Sequence, residues 1–245
     1  MTDPIYAVGD LHGQLAMLEE ALAKIERDGG PDAQVIFLGD LVDRGPDSAG
    51  IIDRLMTGQH EGRNWTVLRG NHDRMFSYFL EDLPRPDPQI LLGMDWFNDR
   101  IGGRETLASY GVETDETSRF YQIHPKARAA IPQSHQDFMA NLPAYHQHGD
   151  LLFVHAGIRP GVPLADQTED DMCWIRREFL IYNEPHPWLV VHGHTHRPTP
   201  EHRTNRVNLD SGAGHGRPLT TAVFEGRDCW VLEGGGRKAL LPGDY

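Results

Sequence analysis

Cysteine is almost absent: Cys173 and Cys229 are the only two in 245 residues. Two cysteines make neither a disulfide framework nor a thiolate zinc cluster. Long apolar runs are missing as well. No stretch approaches the roughly eighteen apolar residues that a membrane-crossing helix needs. The start, Met1 to Gly13, has no basic segment followed by an apolar one, so it does not read as a secretory leader and a cytoplasmic location is expected. Positive charge is scarce: 23 Lys and Arg against 36 Asp and Glu give a net charge of -13. That balance repels a phosphate backbone and argues against a general nucleic-acid surface. A bound metal, which brings its own positive charge, would be a local exception.

What is present is an adequate apolar fraction, 39%, and fourteen histidines. The length suits one large α/β domain over 1–245. No repeat or linker divides it, and a mobile tail is expected from about residue 234, at Gly234-Gly235-Gly236-Arg237. Eight histidines, His60, His124, His135, His146, His148, His186, His202 and His215, stand in polar or turn-like contexts and read as surface or loop residues.

The first third alternates short apolar runs with helical periodicity. Ile5–Val8, Val35–Leu38 and Trp65–Leu68 read as strands. Between them, Leu15, Leu18, Leu22 and Ile25, then Ile51, Ile52, Leu55 and Met56, repeat as one face of a helix. This βαβαβ start predicts three parallel neighbouring strands with a site at their carboxyl ends. Residues 72–142 read as helices, and a helix begins near Ile101-Gly102-Gly103-Arg104-Glu105-Thr106-Leu107. After Ala144 the pattern is extended. A hairpin is expected at Tyr145–Gln147 and Leu151–Val154, and strands at Leu189–Val191, Arg206–Leu209, Thr220–Phe224 and Cys229–Leu232, with one short helix near Trp174–Leu180.

Five polar clusters each follow an apolar run: Gly9-Asp10-Leu11-His12-Gly13, Gly39-Asp40-Leu41-Val42-Asp43-Arg44-Gly45, Gly70-Asn71-His72-Asp73, His155-Ala156-Gly157 and Gly193-His194-Thr195-His196. Singly, each has an ordinary reading. Gly-Asp after a strand is a turn, Asn71 is a helix cap, and Arg44 is a surface charge. Five in this order, each ending a strand, point instead to one oxygen- and nitrogen-rich cation site. Asp10 and His12, two apart on an extended strand end, can face one cation. The carboxylate of Asp40 can bridge two ions, Asn71 supplies an amide oxygen, and His155 and His194 supply imidazoles. Such a donor set suits manganese, with iron or zinc as alternatives.

These motifs resemble the calcineurin-type metallophosphoesterases, and within them the phosphoprotein phosphatase branch, which holds Ser/Thr protein phosphatases, phage lambda-type phosphatases and bacterial symmetrical diadenosine tetraphosphate hydrolases. The ending Asp43-Arg44-Gly45 is the most specific element. The segment Gly102 to Leu107, leading to Ser109-Tyr110-Gly111, is similar to bacterial members. The resemblance runs from Ile5 to about Ala213. It implies a β-sandwich flanked by helices in four layers and two divalent ions. Asp10 and His12 would hold the first ion, Asp40 would bridge, and Asn71, His155 and His194 would hold the second. His72 would be the general acid, oriented by Asp43. Arg44 and Arg176, the latter in Trp174-Ile175-Arg176, would grip phosphate together with Asn71; Arg177 is the weaker candidate. Two positions depart from the branch. Asp73 replaces the usual Glu, with little effect expected. His196, which the branch usually lacks, would add a ligand to the first ion.

The implied chemistry is in-line attack of an activated water on phosphorus, with His72 protonating the leaving oxygen. The leading expectation is a phosphomonoesterase of the Ser/Thr protein phosphatase type, acting on a phosphorylated protein. The alternative is a symmetrical hydrolase of dinucleoside tetraphosphates, with nucleotide-capped RNA ends as a further substrate. A non-catalytic scaffold is a distant third, since every ligand position is filled. Residues 80–125 and 159–175 would separate the two enzymes. Arg159, within the second segment, reads as a surface arginine.

Overall fold

The computed structural model describes residues 3–115 and 117–243. Its first third follows the predicted alternation: β1 (Ile5–Val8), α1 (Leu15–Gly29), β2 (Gln34–Phe37), α2 (Ser48–His60), β3 (Trp65–Val67) and α3 (Asn71–Leu80). A helical segment follows, α4 (Gly103–Ser109), α5 (Phe120–Ala130) and α6 (Gln133–Ala140). Then come β4 (Tyr145–His148), β5 (Leu151–Val154), the short helices α7 (Glu169–Trp174) and α8 (Arg177–Leu180), and β6 (Leu189–His192). The chain closes with β7 (Glu201–His202), β8 (Arg206–Asn208), β9 (Thr221–Glu225), β10 (Asp228–Glu233) and β11 (Gly236–Ala239).

These strands make two sheets. One has the order β11-β10-β9-β1-β2-β3, the other β4-β5-β6-β8-β7. β1, β2 and β3 are parallel neighbours. In the second sheet β5, β6 and β8 are parallel, and β4 joins β5 as the expected antiparallel hairpin.

Strand alternation sorts the core into layers. On β1, Ile5 and Ala7 face the second sheet and pack with Phe153, Val191, Val207 and Phe224. Tyr6 and Val8 face the other way, onto Leu18, Leu22 and Ile25 of α1 and Ile51 and Leu55 of α2. The opposite face of the second sheet, through Leu152, Val154 and Val190, is covered by Met172, Ile175 and Phe179. Helices, sheet, sheet and helices therefore form four layers. Phe153 and Phe224 meet edge to face at 5.9 Å between the sheets, and truncating either to Ala costs about 3–5 kcal/mol.

Three expectations need correction. Residues 236–239, expected in a mobile tail, form β11, paired with β10 from Trp230 to Glu233. Arg237 also bonds to Asp28 at the end of α1. The helix expected near Trp174–Leu180 is two helices, broken at Ile175 and Arg176, whose extended and irregular backbones cannot continue α7. His135 and His202, read as surface or loop residues, are buried in α6 and β7, and His186, in a loop as read, is buried too. Their polar atoms or rings find partners inside: His135 with Tyr110 and Asp53, His186 against Phe179, and His202 with the Leu240 carbonyl.

Candidate metal centre and active site

The loops leaving β1, β2, β3 and β6 open on one polar cavity of about 620 Å³, lined among others by His12, Asp40, Arg44, Asn71, His72 and His194. Asp10 and His155 are buried against these residues. Among the described residues, the five non-glycine positions with positive φ are His12, Asp40, Asp43, Arg44 and His194. All belong to the predicted clusters. Each such backbone costs about 1–3 kcal/mol, a cost that persists where the surroundings enforce it. The glycines enforce closeness: a Cβ at Gly193 would stand 2.0 Å from Asp10 Oδ1, and one at Gly70 2.1 Å from Asp40 Oδ1.

Two groups of donor atoms converge, each within 4.8 Å: His12, Asp40 and His72, and Asp40, His155 and His194. Asp40 belongs to both. One of its oxygens lies 3.5 Å from His12 Nε2, the other 3.4 Å from His155 Nε2. Asn71 Oδ1 completes the second group, 3.0 Å from His155 Nε2 and 2.8 Å from His194 Nδ1. Asp10 is outside the first group. Its carboxylate accepts the His194 backbone N–H at 3.1 Å. His196 lines the cavity but joins neither group; its ring packs on His215, at 4.8 Å. His215 is exposed, as expected, and also lines the cavity.

The donor set fits cations. His155 Nδ1–H donates to the Leu38 carbonyl at 2.9 Å, and His12 Nδ1–H to that of Val42 at 2.9 Å. A carbonyl can only accept, so each Nε2 presents a lone pair to the cavity. His155 Nε2 thus faces another acceptor, Asn71 Oδ1, an arrangement that a cation between them relieves. A backbone carbonyl fixing the far nitrogen is also how metal-binding histidines are commonly oriented.

The charges agree. Burial pushes the His12, His155 and His194 pKa values down, with Arg44 adding to the shift at His12 and His155 adding at His194. Burial, then the neighbouring Asp210 and Asp40, raises the Asp10 carboxyl well above its usual range. At Asp40 burial opposes ionisation, but the imidazoles of His155, His72, His12 and His194 outweigh it and hold the carboxyl low. Burial thus leaves the imidazoles neutral, the form in which they can ligate a cation, and leaves Asp10 with a proton for a cation to displace.

His72 stands apart in its bonding. Its Nδ1 meets Asp43 Oδ2 at 2.6 Å, and its Nε2 faces the cavity beside the Arg44 guanidinium, 3.0 Å away. Asp43 is fully buried and held by two residues that the sequence did not reveal as functional. Trp96 Nε1–H donates to it at 3.0 Å, the Thr106 hydroxyl donates to Oδ1 at 2.7 Å, and its own N–H donates back to Thr106 Oγ1 at 2.8 Å. Arg176 lies in the break between α7 and α8, where its Nε–H donates to His194 Nε2 at 2.9 Å. Arg177 is exposed and does not line the cavity. Arg159 is exposed and paired with Asp171.

Asp73 is more than a neutral replacement. Its carboxylate accepts the N–H groups of Asp40 and Leu41, both at 2.8 Å, and of Gly70 at 2.9 Å. It therefore ties the second cluster to the third. Burial and the nearby Asp40 push its pKa up to about 7. Asp210 also went unnoticed, although it follows β8 as the other clusters follow their strands. It is buried, lines the cavity and accepts the Gly212 N–H at 2.9 Å.

Comparison with known proteins places this geometry. The calcineurin-like phosphoesterase family matches residues 3–215. A bis(5'-nucleosyl)-tetraphosphatase PrpE (asymmetrical) from Anoxybacillus flavithermus is 26% identical and covers 89% of each chain. A symmetrical bis(5'-nucleosyl)-tetraphosphatase from Acidovorax sp. is 32% identical over 64% of this chain and 44% of its own. A solved structure described as a candidate diadenosine tetraphosphatase superposes with a TM-score of 0.66 at 23% identity, covering 95% of this chain and 94% of that one.

Proposed function

Because the chain belongs to the calcineurin-like phosphoesterase family, and so is a phosphoester hydrolase, we propose that its substrates are dinucleoside polyphosphates, cleaved with the help of two divalent ions. The observation that carries the metal-dependent chemistry is Asp40 shared between two donor groups on one cavity. The preference for a nucleotide over a phosphoprotein rests on relatives named tetraphosphatases that match over 89% of this chain. This reverses the order of the two enzyme readings made from the sequence. The relatives that cover 89% of the chain are named for asymmetrical cleavage and the Acidovorax relative for symmetrical cleavage, so the position of the cut is read from the products.

In this reading His12, Asp40 and Asp10 serve one ion and Asp40, Asn71, His155 and His194 the other, with manganese the expected metal. Bound there, the ions would supply Lewis acidity and a water acidic enough to be a nucleophile near neutral pH. The protein's own residues do the rest. Arg44 and Arg176 offer planar, permanently charged forks to phosphoryl oxygens, swinging from His12, His72 and His194 to do so. His72 Nε2 carries the proton that the leaving oxygen takes. Asp43 keeps that ring's Nδ1 protonated and its plane aimed at the cavity, and Trp96 and Thr106 keep Asp43 still. Neither thiol is placed as a nucleophile: Cys173 and Cys229 are buried, and burial pushes both thiol pKa values up.

The test is parallel turnover of diadenosine tetraphosphate and a phosphoserine peptide with manganese. The nucleotide should have the higher kcat/KM. A peptide turned over faster, with the nucleotide inert, contradicts the reading.

A further inference from the structure

A second recess of about 390 Å³ adjoins the polar cavity. Its walls are mostly apolar: Ile90, Leu91, Met94 and Ile101, with Gln89, from the chain between α3 and α4, and Trp174 at the end of α7. Arg100 and Arg176 line both spaces, so two guanidinium groups stand where recess and cavity join. Trp174 also touches the metal-centre side, its indole meeting the His194 ring edge to face at 5.9 Å. Its buried Nε1–H has no hydrogen-bond partner among the described residues. Leu91, though apolar, is 69% exposed.

We infer that this recess seats one nucleoside of the substrate, an inference that rests on the dinucleoside polyphosphate reading above. A flat heteroaromatic base suits walls of indole, thioether and branched aliphatic groups. The two arginines suit a chain of phosphates leading from the base to the reacting phosphorus. In a protein of net charge -13, two arginines at this junction meet a polyanion, and the apolar side chain of a phosphopeptide brings nothing for Arg100 to bind. Asp99 and Glu105 also line the polar cavity; as acceptors they suit ribose hydroxyls.

The experiment compares diadenosine tetraphosphate with inorganic tetraphosphate, which has the same phosphate chain and no nucleoside. With manganese, the wild-type enzyme should prefer the nucleotide by about tenfold or more in kcat/KM, the ratio that about 1.4 kcal/mol of base burial provides. Leu91→Asp, at an exposed position, and Met94→Asp should each bring that ratio down to about one, and a ratio is insensitive to losses common to both substrates. A wild-type ratio near one, or a preference that survives both substitutions, overturns the recess while leaving the hydrolase reading intact. The same holds if the two variants instead lose a preference for phosphopeptides with apolar neighbours. An enzyme that hydrolyses tetraphosphate and phosphopeptide but never the nucleotide overturns both.

Discussion

The indole Nε1–H of Trp96 donates to the carboxylate of Asp43, 3.0 Å from Oδ2, the same oxygen that meets His72 Nδ1 at 2.6 Å. A residue far from the motifs thus fixes the group that orients the proposed acid. Trp96→Phe keeps an aromatic ring against Phe76 and Phe79 and deletes the donor along with part of the indole's volume. Hydrogen bonds to charged groups contribute about 1.5–3 kcal/mol, so kcat should fall about tenfold with KM little changed. The loss should grow as the leaving group becomes more basic and shrink for p-nitrophenol, which needs no proton. Equal losses for both kinds of leaving group would assign Trp96 a purely structural part.

Asp73 makes a second prediction. Its two oxygens serve three backbone N–H groups. Asp73→Asn keeps one carbonyl oxygen and places an NH2 against donors. Each orphaned buried N–H costs about 1–3 kcal/mol, so urea unfolding should shift by at least that much. Because one of these bonds holds the N–H of Asp40 and a second that of its neighbour Leu41, manganese affinity measured by calorimetry should weaken too. A variant as stable as wild type, with unchanged affinity, would show that the tie is dispensable.

His192 gives the pH dependence. It is fully buried, packs edge to face on Phe179 at 5.0 Å, and its Nε2 lacks a hydrogen-bond partner among the described residues. Burial lowers its pKa from 6.5 to about 3. Below about pH 6.5 the unfolded chain takes up a proton that the folded chain refuses, so this residue's contribution is whole above that pH and drains away as pH falls toward 3. His192→Leu should flatten the acid limb of the urea midpoint against pH between those values. Parallel curves for the two proteins would assign the acid loss to other groups.

Much of the site was legible because its residues come in local packets. Asp10 with His12, Asp40 with Asp43 and Arg44, and Asn71 with His72 each sit at the end of an apolar run, and a parallel sheet aligns such ends by construction. Trp96 and Thr106 were not legible as partners of Asp43. They come from the loop before α4 and from α4 itself, 53 and 63 residues away, and no periodicity encodes a contact across a fold. The buried histidines misled for a related reason: a polar neighbourhood in sequence does not say that Tyr110 and Asp53 will satisfy His135 inside. β11 was hidden because ladder bonds come from backbone, so a glycine-rich, exposed segment can pair with β10 without an alternating apolar pattern.

The most direct measurement is the number of manganese ions bound per chain, by elemental analysis after equilibrium dialysis, for the wild type and for Asp40→Asn. Since Asp40 is the one carboxylate common to both donor groups, the wild type should hold two ions and the variant should lose both, or keep one far more weakly. A wild type that binds a single ion, or an Asp40→Asn protein that retains two with undiminished affinity, would contradict the shared-carboxylate centre on which the proposed hydrolysis rests.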